Sequence, residues 1–137
     1  MDQLVKIGND VLSGFQANRR VLSFGEYMGL LQEDPRRHAR GAATYVRDMF
    51  DHFGTTEVEH PDGPQRRFKL FDAPWEDGER RLVGEEGVQN AIYRVLNNFI
   101  RQRRVDRFIL LHGPNGSSKS TITELIARGM EQYLSLI

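Results

Sequence analysis

Residues Gly113, Pro114, Asn115, Gly116, Ser117, Ser118, Lys119 and Ser120 stand between an apolar run, Phe108, Ile109, Leu110 and Leu111, and a segment whose apolar residues recur at helical spacing, Ile122, Leu125, Ile126, Met130 and Tyr133. No other feature constrains the fold as much. A glycine start, four intervening positions, a small residue, then Lys and Ser is the spacing of a loop that wraps an anion, provided a strand leads in and a helix leads out. Small residues let the chain turn its amides inward, and the helix N-terminus adds its positive end. The pattern predicts a phosphate-binding loop over 113–120, with Gly116 at positive φ. Lys119 would reach the β and γ phosphates of ATP, and the Ser120 hydroxyl would ligand Mg²⁺. Thr121 completes the candidate set. The usual pattern has glycine just before the lysine; here Ser118 stands there, and its side chain has to lie away from the phosphates. The competing reading is a Gly/Ser-rich turn with an exposed lysine.

With 137 residues the chain is sized for one domain but short for a complete nucleotide-hydrolysing machine. Its 39% hydrophobic and 28% charged residues describe a chain that folds rather than a disordered tail. Nineteen Lys and Arg balance 19 Asp and Glu, so no global field draws it toward nucleic acid or anionic lipid. There is no cysteine, which excludes thiolate metal sites and cysteine nucleophiles. No apolar run is long enough to span a membrane and the start does not read as a signal peptide, so a cytoplasmic placement is expected.

Along the chain, Leu4, Ile7, Val11, Leu12 and Phe15 give residues 1–20 a helical rhythm broken by glycines. Ser23 followed by Glu26 is a capping box that opens a helix over Phe24–Glu33, with Phe24, Tyr27, Met28, Leu30 and Leu31 as its apolar side. Asp34 can cap a second helix with Pro35 at its first position and Gly54 at its end, its core face being Ala42, Ala43, Val46, Met49, Phe50 and Phe53. Pro61, Asp62, Gly63 and Pro64 form a turn between two short segments, of which 67–71 alternates as a strand would. The stretch 72–81 reads as a connector, dividing a helical N-terminal region with a small hairpin, 1–78, from the start of a nucleotide-binding core, 79–137. Val88, Ala91, Ile92, Val95, Leu96, Phe99 and Ile100 predict a helix with Glu85 and Glu86 at its positive end. The run 107–111 predicts a strand buried on both faces. The architecture expected is therefore α/β: a helical layer, a hairpin, and the first strand and helix of a P-loop sheet.

The loop with its preceding helix resembles the AAA-type ATPase core of the PrkA-type serine protein kinases. The similarity reaches back through the Leu22, Ser23, Phe24, Gly25, Glu26, Tyr27 stretch, the helix from Tyr45 to Gly54, the segment from Arg67 to Asp72, and Leu82, Val83, Gly84, Glu85, Glu86, about residues 22 to 130 in all. It implies an ATP- and Mg²⁺-dependent parent enzyme, a serine protein kinase or AAA-type ATPase acting on an unidentified protein, and a ring or dimer of identical subunits. It also implies that Val83 and Gly84 lie beside the adenine; the competing reading is a plain helix start.

Glu85 and Glu86 read as helix-dipole partners rather than a catalytic pair, and Arg101, Arg103, Arg104 and Arg107 as a solvated helix end. The four histidines show no ligand spacing. Only residues 121–137 follow Ser120, room for one helix, so the remaining strands of a doubly wound sheet, the acidic strand end and the sensor residue have no place here. The expectation is a fragment that is inactive alone, with no catalytic residue of its own. Two alternatives stand beside it: a non-catalytic interaction module that docks through helices 24–54, and a portion of another AAA remodelling ATPase.

Overall fold

The computed structural model describes residues 21–116 and 118–136; the rhythm read over residues 1–20 and the loop residue Ser117 lie outside the described residues. The chain divides into two compact units, Met1–Arg40 and Gly41–Ile137.

In the first unit, helix α1 spans Phe24–Glu33. The capping box is made: the Glu26 amide donates to Ser23 Oγ at 3.3 Å and the Ser23 amide donates to Glu26 Oε2 at 2.7 Å, so two orphan donors are satisfied reciprocally. The Ser23 hydroxyl, which also donates to Glu26 Oε2 at 2.7 Å, and then the Ser23 amide hold the Glu26 carboxyl below its usual range. Met28, Leu30 and Leu31 are half-buried, but Phe24 and Tyr27 on the same side are exposed. Asp34 closes α1 and opens α2, Pro35–His38, accepting from the Arg37 amide at 3.0 Å. The single helix expected from Pro35 to Gly54 is not formed. Residues 39–41 leave the helical conformation, and Gly41, extended at φ −68° and ψ 157°, opens a separate helix.

That helix, α3 (Ala42–Phe53), begins the second unit and ends as expected at Gly54, whose φ of 78° lets its amide reach the carbonyls of Phe50 and Asp51. Strands β1 (Thr55–Val58) and β2 (Gln65–Phe68) pair antiparallel, Thr55 opposite Phe68 and Val58 opposite Gln65, around the Pro61 to Pro64 turn. A hairpin is formed, but the strand expected over 67–71 stops at Phe68, and the rest of that alternating stretch winds into a 3-10 turn, Lys69–Asp72. A second 3-10 turn, Pro74–Glu76, follows, then α4 (Glu86–Gln102) and α5 (Lys119–Leu134).

One core joins these elements. Met49 and Phe50 of α3, Phe68 of β2, Leu70 and Phe71 of the 3-10 turn, Leu82 of the stretch before α4, Ile92 and Leu96 of α4, and Ile122 and Leu125 of α5 are all buried together. The Phe50 ring lies edge-on to Phe68 and Phe71 with centroids 5.2 and 5.6 Å away, geometry that suits the quadrupoles of the rings. The core draws on residues from both sides of residue 78.

The strand expected at 107–111 is not formed. Phe108 is 99% exposed and Leu110 85%, and only Leu111 packs against the core. A strand exists by virtue of a neighbour's ladder, and among the described residues the sheet consists of β1 and β2 alone. The described residues form a mixed, largely helical fold with a small two-stranded sheet, and among them the parallel sheet anticipated from the loop motif is not formed.

Gly129, inside α5, was not singled out by sequence. An alanine Cβ there would collide with Leu70 Cδ1 and stand 2.7 Å from Met49 Sδ. Gly129→Ala is expected to destabilise the unit by about 1–3 kcal/mol despite alanine's better helix propensity. A urea unfolding midpoint that stays put or rises would show that α5 does not pack this closely.

Candidate functional site

The 113–120 loop delivers the chain to the N-terminus of α5. Gly116 adopts φ 83°, the left-handed conformation expected of it, so the chain reverses here without the penalty a side chain would bring. Lys119 is the first residue of α5 and folds back over the loop: its Nζ donates to the carbonyl oxygens of Gly113 and Pro114, the latter at 3.1 Å. Ser118 is the N-cap but its side chain makes no capping bond, leaving the first-turn amides without the side-chain acceptor that usually serves such a helix end. Ser120 is exposed and Thr121 half-buried; Pro114, Asn115 and Gly116 are exposed and Gly113 half-buried. The loop therefore gathers an ammonium, small residues and a helix N-terminus in one place, a donor set that suits an anion rather than a cation.

Beside it runs a groove of about 460 Å³, lined by Glu85, Val88 and Ala91 of the α4 approach, Leu111 and His112 of the incoming chain, and Lys119 and Ile122 of α5. A second hollow of about 400 Å³ touches Leu111, Lys119, Ser120 and Thr123. The two hollows share the irregular 109–111 segment. Glu85 of the first groove is adjacent in sequence to the expected base-binding pair; Val83 and Gly84 themselves do not line it.

Val83 and Gly84 belong to a segment held from behind by a buried polar cluster that sequence reasoning missed. Arg67, from β2, donates to Asp72 Oδ1 at 2.8 Å and Glu86 Oε1 at 3.0 Å. It also donates to the carbonyls of Gly84 at 3.1 Å, Phe71 at 3.4 Å and Leu82. Gln89, fully buried, accepts from the Phe68 amide at 2.9 Å and donates to the Gly84 carbonyl at 3.2 Å. His60 Nε2 lies 3.1 Å from Glu86 Oε2. Burial raises the Glu86 pKa, but its own backbone amide, Arg67 and His60 together outweigh that and hold the carboxyl below its usual range. Glu86 is thus no solvated dipole partner but the buried anion of a network. The one available signal was Arg67 standing directly before Phe68, a residue that had to be buried.

Of the remaining candidates, Arg101, Arg103, Arg104 and Arg107 are exposed, with Arg104 and Arg107 each 3.3 Å from Asp106, a solvated helix end as expected. Among the described residues no group of three or more His, Asp or Glu gathers to hold a metal. No helix among them is long and apolar enough to cross a membrane.

No family model matches the chain, and no solved structure matches it. Among curated proteins it is 27% identical over 116 residues to a Bacillus subtilis (strain 168) protein named ATP-dependent protease PrkA. The match takes in 81% of this chain but only 16% of the relative, so the chain spans about one sixth of that protein's length. At this low identity the match supports a PrkA-like relationship, and with it a distant tie to an ATP-dependent protein.

Proposed function

We propose that the chain is the ATP-binding N-terminal part of a PrkA-like ATP-dependent enzyme, with 113–120 as a P-loop of Walker A type. The observation that carries this reading is the closure of the loop at α5: the Gly116 reversal and the Lys119 ammonium, seated on the Gly113 and Pro114 carbonyls, preform a ring at an uncapped helix N-terminus. An entering triphosphate would draw the ammonium off those carbonyls onto the β and γ oxygens, exchanging neutral acceptors for charged ones. The backbone amides of 115–119 and Thr121 would cradle the anion, Pro114 having no N–H to give. Mg²⁺ fits the donor set only as a substrate-borne ion, the Ser120 hydroxyl supplying one ligand and phosphate oxygens and water the rest. Val83 and Gly84 would bound the base.

Phosphoryl transfer or hydrolysis belongs to the whole enzyme, which acts on a protein and assembles as a homo-oligomer. The resemblance points to a serine protein kinase and the relative's name to a protease; what they share is ATP dependence, and the reading rests on that shared part. In this scheme the division near residue 78 separates the helical region and hairpin from the start of the nucleotide core. A cytoplasmic location and no nucleic-acid partner go with it.

Lys119→Ala tests the loop. Removing charge-assisted bonds of about 1.5–3 kcal/mol should weaken Mg-ATP binding about 10- to 100-fold with circular dichroism unchanged. Unchanged affinity in a folded variant favours the second reading, a non-catalytic interaction module, which has its own observation in the 77% exposed Phe24 of α1.

A further inference from the structure

Segment 82–85 is neither helix nor strand, and two successive residues, Gly84 at φ 69° and Glu85 at φ 62°, are left-handed. For Glu85 that conformation is unfavourable and persists only where the surroundings impose it. The segment just before it is held by Arg67. Its planar fork donates to the carbonyls of Leu82 and Gly84 on either side of Val83, while Asp72 and Glu86 balance its charge. The Leu82 amide is fixed as well, donating to the Phe71 carbonyl at 2.8 Å. With the residues on both sides pulled inward, Val83 is turned out. Its side chain is 80% exposed, and among the described residues its amide and carbonyl make no hydrogen bond.

A backbone donor and acceptor so presented, two residues before Glu85 of the groove that Lys119 also lines, can meet the polar edge of a flat heterocycle. We infer that Arg67 is a positioning residue for base recognition: from the hairpin, it sets the conformation in which the 82–84 segment faces the adenine of ATP. This rests on the assignment of Val83 and Gly84 to the base. A lysine cannot replace the fork, because a point-like ammonium cannot bridge several carbonyls and carboxylates at once. Gln89, the second donor to the Gly84 carbonyl, reinforces the placement. The hairpin, which holds no phosphate ligand, thereby gains a part in nucleotide selectivity.

The test compares Mg-ATP with Mg-tripolyphosphate, which carries the phosphates without the base, on the whole chain and on Arg67→Lys. The inference expects ATP affinity to fall about tenfold while tripolyphosphate affinity and circular dichroism stay the same. Equal loss of both ligands overturns it, because that is what a general loosening of the unit would do; so does an unchanged ATP affinity. Should Arg67→Lys fail to fold, the neutral pair Arg67→Gln with Glu86→Gln, which leaves no buried ion uncompensated, is read by the same two affinities. A parent chain that holds tripolyphosphate as tightly as ATP removes the base assignment and this inference with it, leaving the phosphate loop standing. One that binds neither removes the loop as well.

Discussion

Truncating Phe50 to alanine is expected to destabilise the Gly41–Ile137 unit by about 3–5 kcal/mol, a large share of what holds a domain of this size together. Phe50 is fully buried, and its ring is the hub on which three elements meet: Phe68 of β2, Phe71 of the 3-10 turn, and Tyr93 of α4, whose centroid is 6.0 Å away. Collapse into the space is restricted. The neighbours are rings anchored on different elements, and Tyr93 is tied by its hydroxyl, which donates to Asp51 Oδ1 at 2.6 Å. The lost transfer energy is therefore compounded by a cavity. Urea unfolding followed by far-ultraviolet circular dichroism measures the loss; a shift below about 1 kcal/mol would mean that the aromatic cluster is not the centre of the unit.

Glu86→Ala is expected to cost about 3 kcal/mol, because it strands the Arg67 guanidinium inside the unit. The carboxylate of Asp72, 2.8 Å from Arg67 but 40% exposed, is left as the sole anion there and compensates in part. The variant also carries a pH signature. The Glu86 carboxyl is held below its ordinary value of 4.5 in the folded chain, so its contribution is fully present above that pH and is lost as pH falls through the lower folded value. The parent should lose stability on acidification below about pH 4.5, and Glu86→Ala should lose less over the same range. Parallel stability-against-pH curves for the two proteins would contradict the burial and pairing described for Glu86.

Local signals in the sequence were honoured closely. Ser23 with Glu26 made its capping box, Asp34 and Pro35 opened a helix, Gly54 ended one, and α5 began at Lys119 behind a left-handed Gly116. Each depends on residues a few positions apart, so the chain's own geometry decides it. What needed a distant partner was harder to read. The apolar run at 107–111 has the composition of a buried strand, yet a strand requires a neighbour to complete its hydrogen bonds, and no property of 107–111 supplies one. Conversely, Arg67, Glu86 and Gln89 look like surface residues by type. They are buried because folding places the hairpin against the start of α4, where Arg67 and Glu86 pair and Arg67 and Gln89 both donate to the Gly84 carbonyl. The failure to extend one helix from Pro35 to Gly54 belongs to the same class: the spacing continues through Ala39 and Arg40, but Gly41 prefers the extended N-cap conformation. Around 113–120, the Gly116 turn and the helix start at Lys119 were legible because they are local, whereas the Arg67 bonds that hold the Leu82 and Gly84 carbonyls come from β2.

The most direct measurement is a calorimetric titration of Mg-ATP into the chain, with circular dichroism establishing that it is folded. The account predicts saturable binding to a single site, competed by tripolyphosphate. A folded chain that takes up no Mg-ATP would contradict it, whatever else the Gly116 reversal and the Lys119 closure do for the fold.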